Sequence, residues 1–187
     1  MALTPMTLTA RLIKHEHPNA KVVFIGPCAA KKLEAMRKSV RSEVDFVLTF
    51  EEMAGIFAAK HVDLTTIEED PDGVNDASTD GRSFAVGGGV AKAVVNVIQH
   101  RYPGREVKVT SSQGLRECRK MMQEAVAGKY PGYLLEGMAC PGGCVAGAGT
   151  ITPVRESTLN VEKFKKEAAE ISSTASPYVD RLKDVEE

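Results

Sequence analysis

At 187 residues the chain is long enough for one domain with a core of its own. Lys and Arg total 24 against 25 Asp and Glu, a formal charge of -1, so no global field recruits nucleic acid or an anionic membrane. No apolar run approaches the roughly 20 residues of a membrane span, and the opening MALTPMTLTARLIKHEH lacks a basic-then-apolar signal pattern, so the expectation is a soluble cytoplasmic protein.

Taken in chain order, short β-rich runs alternate with 3.6-residue periodicity, which is α/β grammar. KVVFIG (21–26) predicts a buried strand, and PCAAKKLEAMRK after it predicts a helix with Pro27 near its first turn. VDFVLT (44–49) predicts a second strand, and FEEMAGIFAAK a helix with Met53, Ile56 and Phe57 on one face. EEDPDGVNDASTDGRS (68–83) is acidic and turn-rich and predicts a surface loop. GGGVAKAVVNVIQHRYPG predicts a helix ending before Pro103, with Val90, Val94, Val97 and Ile98 as its stripe.

A third strand and helix follow in VTSSQGLRECRKMMQEAVAG, with Ser112 as the expected N-cap and Gly128 as the stop. GYLLEGMAC predicts a fourth strand that delivers Cys140 at its end. In the tail, Val161, Phe164, Ala168 and Ile171 predict one last helix, with fraying over the final dozen residues. The expected architecture is therefore α/β, a mostly parallel sheet of about four strands flanked by helices. A single domain spans 1–187, with its core from about 4 to 170 and a tail over 171–187.

Four cysteines are too few for a disulfide scaffold and point to metal binding or reactivity. Cys28 sits where a strand hands over to a helix, with Lys31 and Lys32 within one turn, a setting that favours the thiolate. The residues alone leave this reading and that of a small buried side chain both open. Cys140 and Cys144 lie in EGMACPGGCVAGAG, where glycines and alanines leave almost no side-chain bulk, so a bulky group is expected in that space.

An iron–sulfur cluster needs thiolates, close backbone approach and N–H donors, all of which this segment supplies. Zinc is disfavoured because C-x2-C spacing and matching histidines are absent. Cys118 falls on the stripe Leu115, Cys118, Met122, Ala125 and reads as core filler. His15, His17, His61 and His100 sit singly in polar surroundings and read as solvated. Gly87, Gly88 and Gly89 before a helix offer a weak anion cradle, without the spacing of a nucleotide loop.

At this point the chain resembles the C-terminal part of the large subunit of iron-only (FeFe) hydrogenases. PCAAKKLE matches the family's P-C-x-x-K-x-x-E through Pro27, Cys28, Lys31 and Glu34. EGMACPGGCVAGAG matches E-x-M-A-C-x-x-G-C-x-x-G-x-G through Glu136, Met138, Ala139, Cys140, Gly143, Cys144, Gly147 and Gly149. FAVGGGVAKAV resembles its F-x-x-x-G-G-V segment, and TPM its S-P-x turn.

The resemblance implies one lobe of the domain that holds the H-cluster, a 4Fe–4S cubane sharing one cysteine with a two-iron unit that carries carbon monoxide, cyanide and a dithiolate bridge. By position it makes Cys28, Cys140 and Cys144 cubane ligands, Cys144 the bridging one. Lys31 becomes a donor to a cyanide, and Met138, Phe84 and the Thr4–Pro5 turn become walls of the two-iron pocket.

The first signature, T-S-C-C-P, with the fourth ligand and the proton-relay cysteine, is absent, so the expectation is a fragment of a longer hydrogenase that is inactive alone. Gly26 replaces the usual methionine, and Ala148 and Ile151 the usual Gly and Pro, which resembles a divergent branch with hydrogen-sensing members. The implied reaction is interconversion of protons and electrons with H2. The implied partners are ferredoxin-type electron carriers, the upstream part of the large subunit and cluster maturation proteins. The competing readings are a hydrogenase-like iron–sulfur assembly factor and an H2-sensing or signalling module.

Overall fold

The computed structural model describes residues 3–68, 70 and 76–181. The chain divides into two compact units, one drawn from Met1–Val74, Gly147–Ile151 and Tyr178–Glu187, the other from Asn75–Ala146 and Thr152–Pro177. The architecture is α/β, and the four strands are all parallel as expected. They form two two-stranded ladders, one in each unit, rather than one four-stranded sheet.

The first unit opens with helix α1 (Pro5–Glu16), which the sequence reading reduced to a turn at Thr4–Pro5. Thr4 caps it by accepting the Thr7 N–H, and Pro5 occupies the first helical position, where a missing donor costs nothing. Met6, Thr7 and Ala10 form its buried face. Strands β1 (Val23–Ile25) and β2 (Phe46–Leu48) pair with Val23 opposite Phe46 and Ile25 opposite Leu48.

Asp45 locks the start of this ladder by accepting from Lys14, Lys21 and the Val22 N–H. Helix α2 (Ala30–Met36) starts three residues after Pro27, so the proline lies outside it rather than in its first turn. Helix α3 (Phe50–Ala59) begins at a capping box: Thr49 accepts the Glu52 N–H while Glu52 accepts the Thr49 N–H. Met53 and Phe57 are half-buried on the expected face, and Ile56 is exposed.

In the second unit the expected loop at 68–83 contains a short helix, α4 (Thr79–Arg82), capped by Ser78; positions 69 and 71–75 of that stretch lie outside the described residues. Its buried Asp80 accepts from Asn96 Nδ2 through both oxygens at 2.9 Å, and its buried Arg82 lies 3.9 Å over the Phe164 ring while donating to the Phe164 carbonyl. Helix α5 (Gly89–Arg101) ends before Pro103 as expected, but it buries Ala91 and Ala93 rather than the valine stripe, and Val94 is exposed. Small side chains let the backbone approach its neighbours closely.

Strand β3 (Lys108–Gln113), helix α6 (Leu115–Val126) and strand β4 (Tyr133–Met138) make a right-sized parallel crossover, with Lys108 opposite Tyr133 and Gln113 opposite Met138. Ser112 belongs to β3, so it is not the cap; Gly114, at φ 88°, makes the turn into α6 instead. Gly128, at φ 86°, ends α6 as expected. The inward face of α6 carries Met121, and Leu115 and Met122 of the expected stripe are exposed.

Helix α7 (Val154–Phe164) stops before Ala168 and Ile171, which the sequence placed on its stripe. The chain leaves the helix because the Glu170 and Ile171 carbonyls accept the Thr79 and Asp80 N–H groups at the start of α4. Of the tail expected to fray, positions 182–187 lie outside the described residues, and Arg181 pairs with Glu16.

Candidate functional site

Cys28 belongs to the first unit, in the turn from β1 to α2. The Gly26 N–H donates to the Leu48 carbonyl and the Pro27 carbonyl accepts the Gly149 N–H, each at 3.0 Å, so the backbone before Cys28 is held from both directions. The Cys28 carbonyl accepts the Lys31 N–H, and α2 then starts with no side-chain cap. The thiol is half-buried.

Lys31 is near as expected, but its ammonium is ion-paired with Glu34. Lys32 pairs with Glu52 and donates to the Val47 carbonyl. Both cations are therefore partly neutralised within their own unit. Glu34 also accepts from the Thr4 and Thr7 hydroxyls. Burial alone would raise the Glu34 carboxyl, yet Lys31 and Thr4 outweigh it and hold it below the ordinary value.

Cys140 and Cys144 belong to the second unit, in the loop that leaves β4. Register with β3 continues to Met138, whose carbonyl accepts the Gly114 N–H. The Cys140 carbonyl accepts the Gly143 N–H at 3.0 Å, and a 3-10 turn runs over Cys144–Ala146. Val145 is buried and anchors the turn, Cys144 is exposed and Cys140 half-buried.

Gly142 and Gly143 adopt φ of 104° and 97°, which L side chains rarely reach. The space at Gly143 is already filled, because a Cβ there would lie 2.7–2.9 Å from backbone atoms of Ala85, Val86 and Gly87. At Gly149 a Cβ would strike Thr49 at 2.4 Å. The expectation that glycine bareness makes room for a bulky group is thus corrected at these two positions: the chain's own atoms occupy the room.

The anion cradle expected at Gly87–Gly89 is also occupied from within. The Gly88 and Ala91 N–H groups donate to the two oxygens of buried Glu136, at 2.7 and 2.9 Å, so the helix N-terminus binds a carboxylate of the EGMAC segment.

Met138, at the end of β4, and Phe84, in a 3-10 turn over Ser83–Ala85, are half-buried in the second unit. Pro5 is exposed at the start of α1 in the first. Cys118, expected as core filler, is half-buried on α6: its thiol donates toward the Ser112 and Met138 carbonyls and lies 3.3 Å from where a Cβ on Gly137 would stand. The four histidines are exposed. Sequence reasoning missed Gln113, Thr7 and the destination of Glu136. Only Glu136 had a signal, a carboxylate inside a β-rich run, which has to find donors once buried.

None of the four cysteines is in a disulfide. Among the described residues no three His, Cys, Asp or Glu side chains are grouped closely enough to hold a metal ion. Cys118 lies on helix α6, and the thiols on loops are Cys28, Cys140 and Cys144. They fit a thiolate-bound cluster in kind and fall one short of the four a cubane takes. No helix among the described residues is long and apolar enough to cross a membrane.

Residues 1–148 match the family model for the C-terminal domain of the iron-only hydrogenase large subunit. The chain belongs to that family. It is 29% identical over 178 residues to the periplasmic Fe hydrogenase large subunit of Nitratidesulfovibrio vulgaris, covering 76% of this chain and 42% of that protein. It is 26% identical over 199 residues to a probable cytosolic Fe-S cluster assembly factor of Drosophila mojavensis, covering 78% of this chain and 40% of that one. The chain thus spans about two-fifths of the length of these relatives. Among solved structures, a variant of FeFe-hydrogenase HydA1 from Chlamydomonas reinhardtii superposes with a TM-score of 0.69 at 19% identity, over 96% of this chain and 64% of that one, which supports the iron-only hydrogenase fold.

Proposed function

We propose that this chain is the C-terminal, cluster-ligating part of an iron-only hydrogenase, with Cys28, Cys140 and Cys144 as ligands of a 4Fe–4S cubane and Cys144 shared with a two-iron unit. When bound, that group supplies interconversion of two protons and two electrons with H2. The observation that carries the reading is that both cysteine segments of a family member sit on loops, outside disulfides, while Cys118 lies on helix α6 with its thiol turned to the Ser112 and Met138 carbonyls. Lys31 keeps N–H groups to spare beyond its bond to Glu34 and would donate one to an anionic ligand. Met138, Phe84 and Pro5 would exclude water from the bound group. In this reading the chain alone does not turn over H2, because its thiolates number three. Ferredoxin-type carriers and maturation proteins are its proposed partners, and the cytoplasm its proposed compartment, although the relatives' names include both periplasmic and cytosolic proteins.

The test is anaerobic reconstitution with iron and sulfide. Iron uptake should fall by half or more in Cys140→Ala and in Cys144→Ala, and uptake equal to the parent in both variants overturns the assignment. A second reading is favoured by the similarity to cytosolic assembly factors, including cytosolic iron-sulfur assembly component 3 of Mus musculus at 27% identity. Infrared bands of metal-bound cyanide and carbon monoxide after co-expression of the full-length parent protein with maturation proteins support the hydrogenase reading. Cubane spectra without those bands support an assembly role.

A further inference from the structure

Gly142, midway between Cys140 and Cys144, has both of its backbone polar groups tied to residues outside its loop. Its N–H donates to Gln113 Oε1 at 2.7 Å, and its carbonyl accepts the Gly87 N–H at 3.1 Å. The next residue, Gly88, donates to Glu136, whose buried carboxylate therefore pins the turn that pins Gly142. The other end of the Gln113 amide lies against Gly87, since a Cβ on Gly87 would stand 2.7 Å from Gln113 Nε2. Gln113 is exposed and adds nothing to the core, so its effect is confined to this loop.

We propose that Gln113 and Glu136 are positioning residues that hold the Cys140–Cys144 loop in a single shape before any metal arrives, Gln113 directly and Glu136 through the Gly87–Gly88 turn. A glycine-rich loop left to itself samples many shapes, and each ligand it binds has to freeze them. Fixing Gly142 from both sides removes that cost in advance and strengthens whatever its two thiolates bind. The purpose of the clamp rests on the cluster-ligation reading; its existence does not.

The experiment uses the reduced, cluster-free 187-residue chain. Hydrogen exchange of the segment over 140–146 is compared with that of the β3–β4 ladder, and Co(II) binding is titrated by thiolate charge-transfer absorption. In Gln113→Ala, exchange at Gly142 and Gly143 should quicken roughly three- to tenfold, as expected for losing one hydrogen bond that restrains local opening. Co(II) binding should weaken in proportion while the ladder exchanges as before. Gln113→Glu retains the acceptor and should restore slow exchange, and Glu136→Gln should quicken it. Parental exchange in Gln113→Ala overturns the proposal, as does equal quickening of loop and ladder. Failure of the ligation reading shows separately, as absence of Co(II) absorption in the parent chain.

Discussion

The two cysteine segments are restrained by different physics. The Cys28 turn leans on side-chain charge: a seven-residue helix without a side-chain cap, Lys31 on Glu34, and Glu34 on Thr4 and Thr7. The Cys140–Cys144 loop leans on backbone and shape: two left-handed glycines, a Gly143 with no room for a methyl group, and a buried carboxylate on a helix end. A charged restraint yields to pH and salt, because partly exposed ion pairs are screened and can be protonated. The steric part of the second restraint, at Gly143, yields to neither.

The largest effect that would break this contrast is on the steric side. Gly143→Ala places a methyl group within 3 Å of three backbone atoms at a φ of 97°, and should cost about 3 kcal/mol or more. A denaturant midpoint within error of the parent would show that the loop is not shape-limited.

The next effect lies on the charged side and depends on acidity. Glu34 is depressed in the folded chain, so its contribution is present above the ordinary value of 4.5 and is lost as pH falls through the folded value. Asp45 is depressed in the same direction, chiefly by Lys14 and then by the Val22 N–H, and Glu52 by Lys32 and then the Thr49 N–H, so the first unit carries several acid-labile ties. Glu34→Gln should flatten the decline of the first unit's denaturant midpoint between about pH 6 and pH 3. A decline as steep as the parent's assigns the acid sensitivity to the other depressed carboxylates, Asp45 and Glu52 among them. The smallest effect tests the frame beneath the Cys28 turn: Thr49→Ala removes the capping box of α3 and should cost about 1 kcal/mol, read by the helical melting signal.

Where periodicity and punctuation agree, the sequence is a good guide to position: all four strands, α3, α5 and the Gly128 stop lie where apolar runs, small residues and glycine predict them, although β1, expected to be buried, exposes Val23 and Ile25. It failed where tertiary partners decide. The α6 stripe Leu115, Cys118, Met122, Ala125 holds only in part: Leu115 and Met122 are exposed, Cys118 and Ala125 are half-buried, and the buried residue is Met121, which packs toward Gly137 on β4, a partner no pattern within the helix reveals. Helix α1 was missed although Thr4 before Pro5 is a cap followed by a first-position proline. Both cysteine motifs were legible, but their supports were not: Gln113 serves through one hydrogen bond to a backbone 29 positions away, and the glycines read as vacancy are sites of close approach.

The short return of Gly147–Ile151 to the first unit has a consequence for how the protein is made. Gly149 donates to the Pro27 carbonyl and accepts from the Glu51 N–H, completing backbone bonds around segments synthesised about a hundred residues earlier. During translation the residues from Asn75 to Ala146 leave the ribosome before the Cys28 turn has its last restraint. Until then the Cys28 turn lacks those two backbone bonds, and contacts of such sequence separation are the kind that slow folding. A chain released after Ala146 would carry all of its cysteines and lack the strand of backbone that braces the first of them.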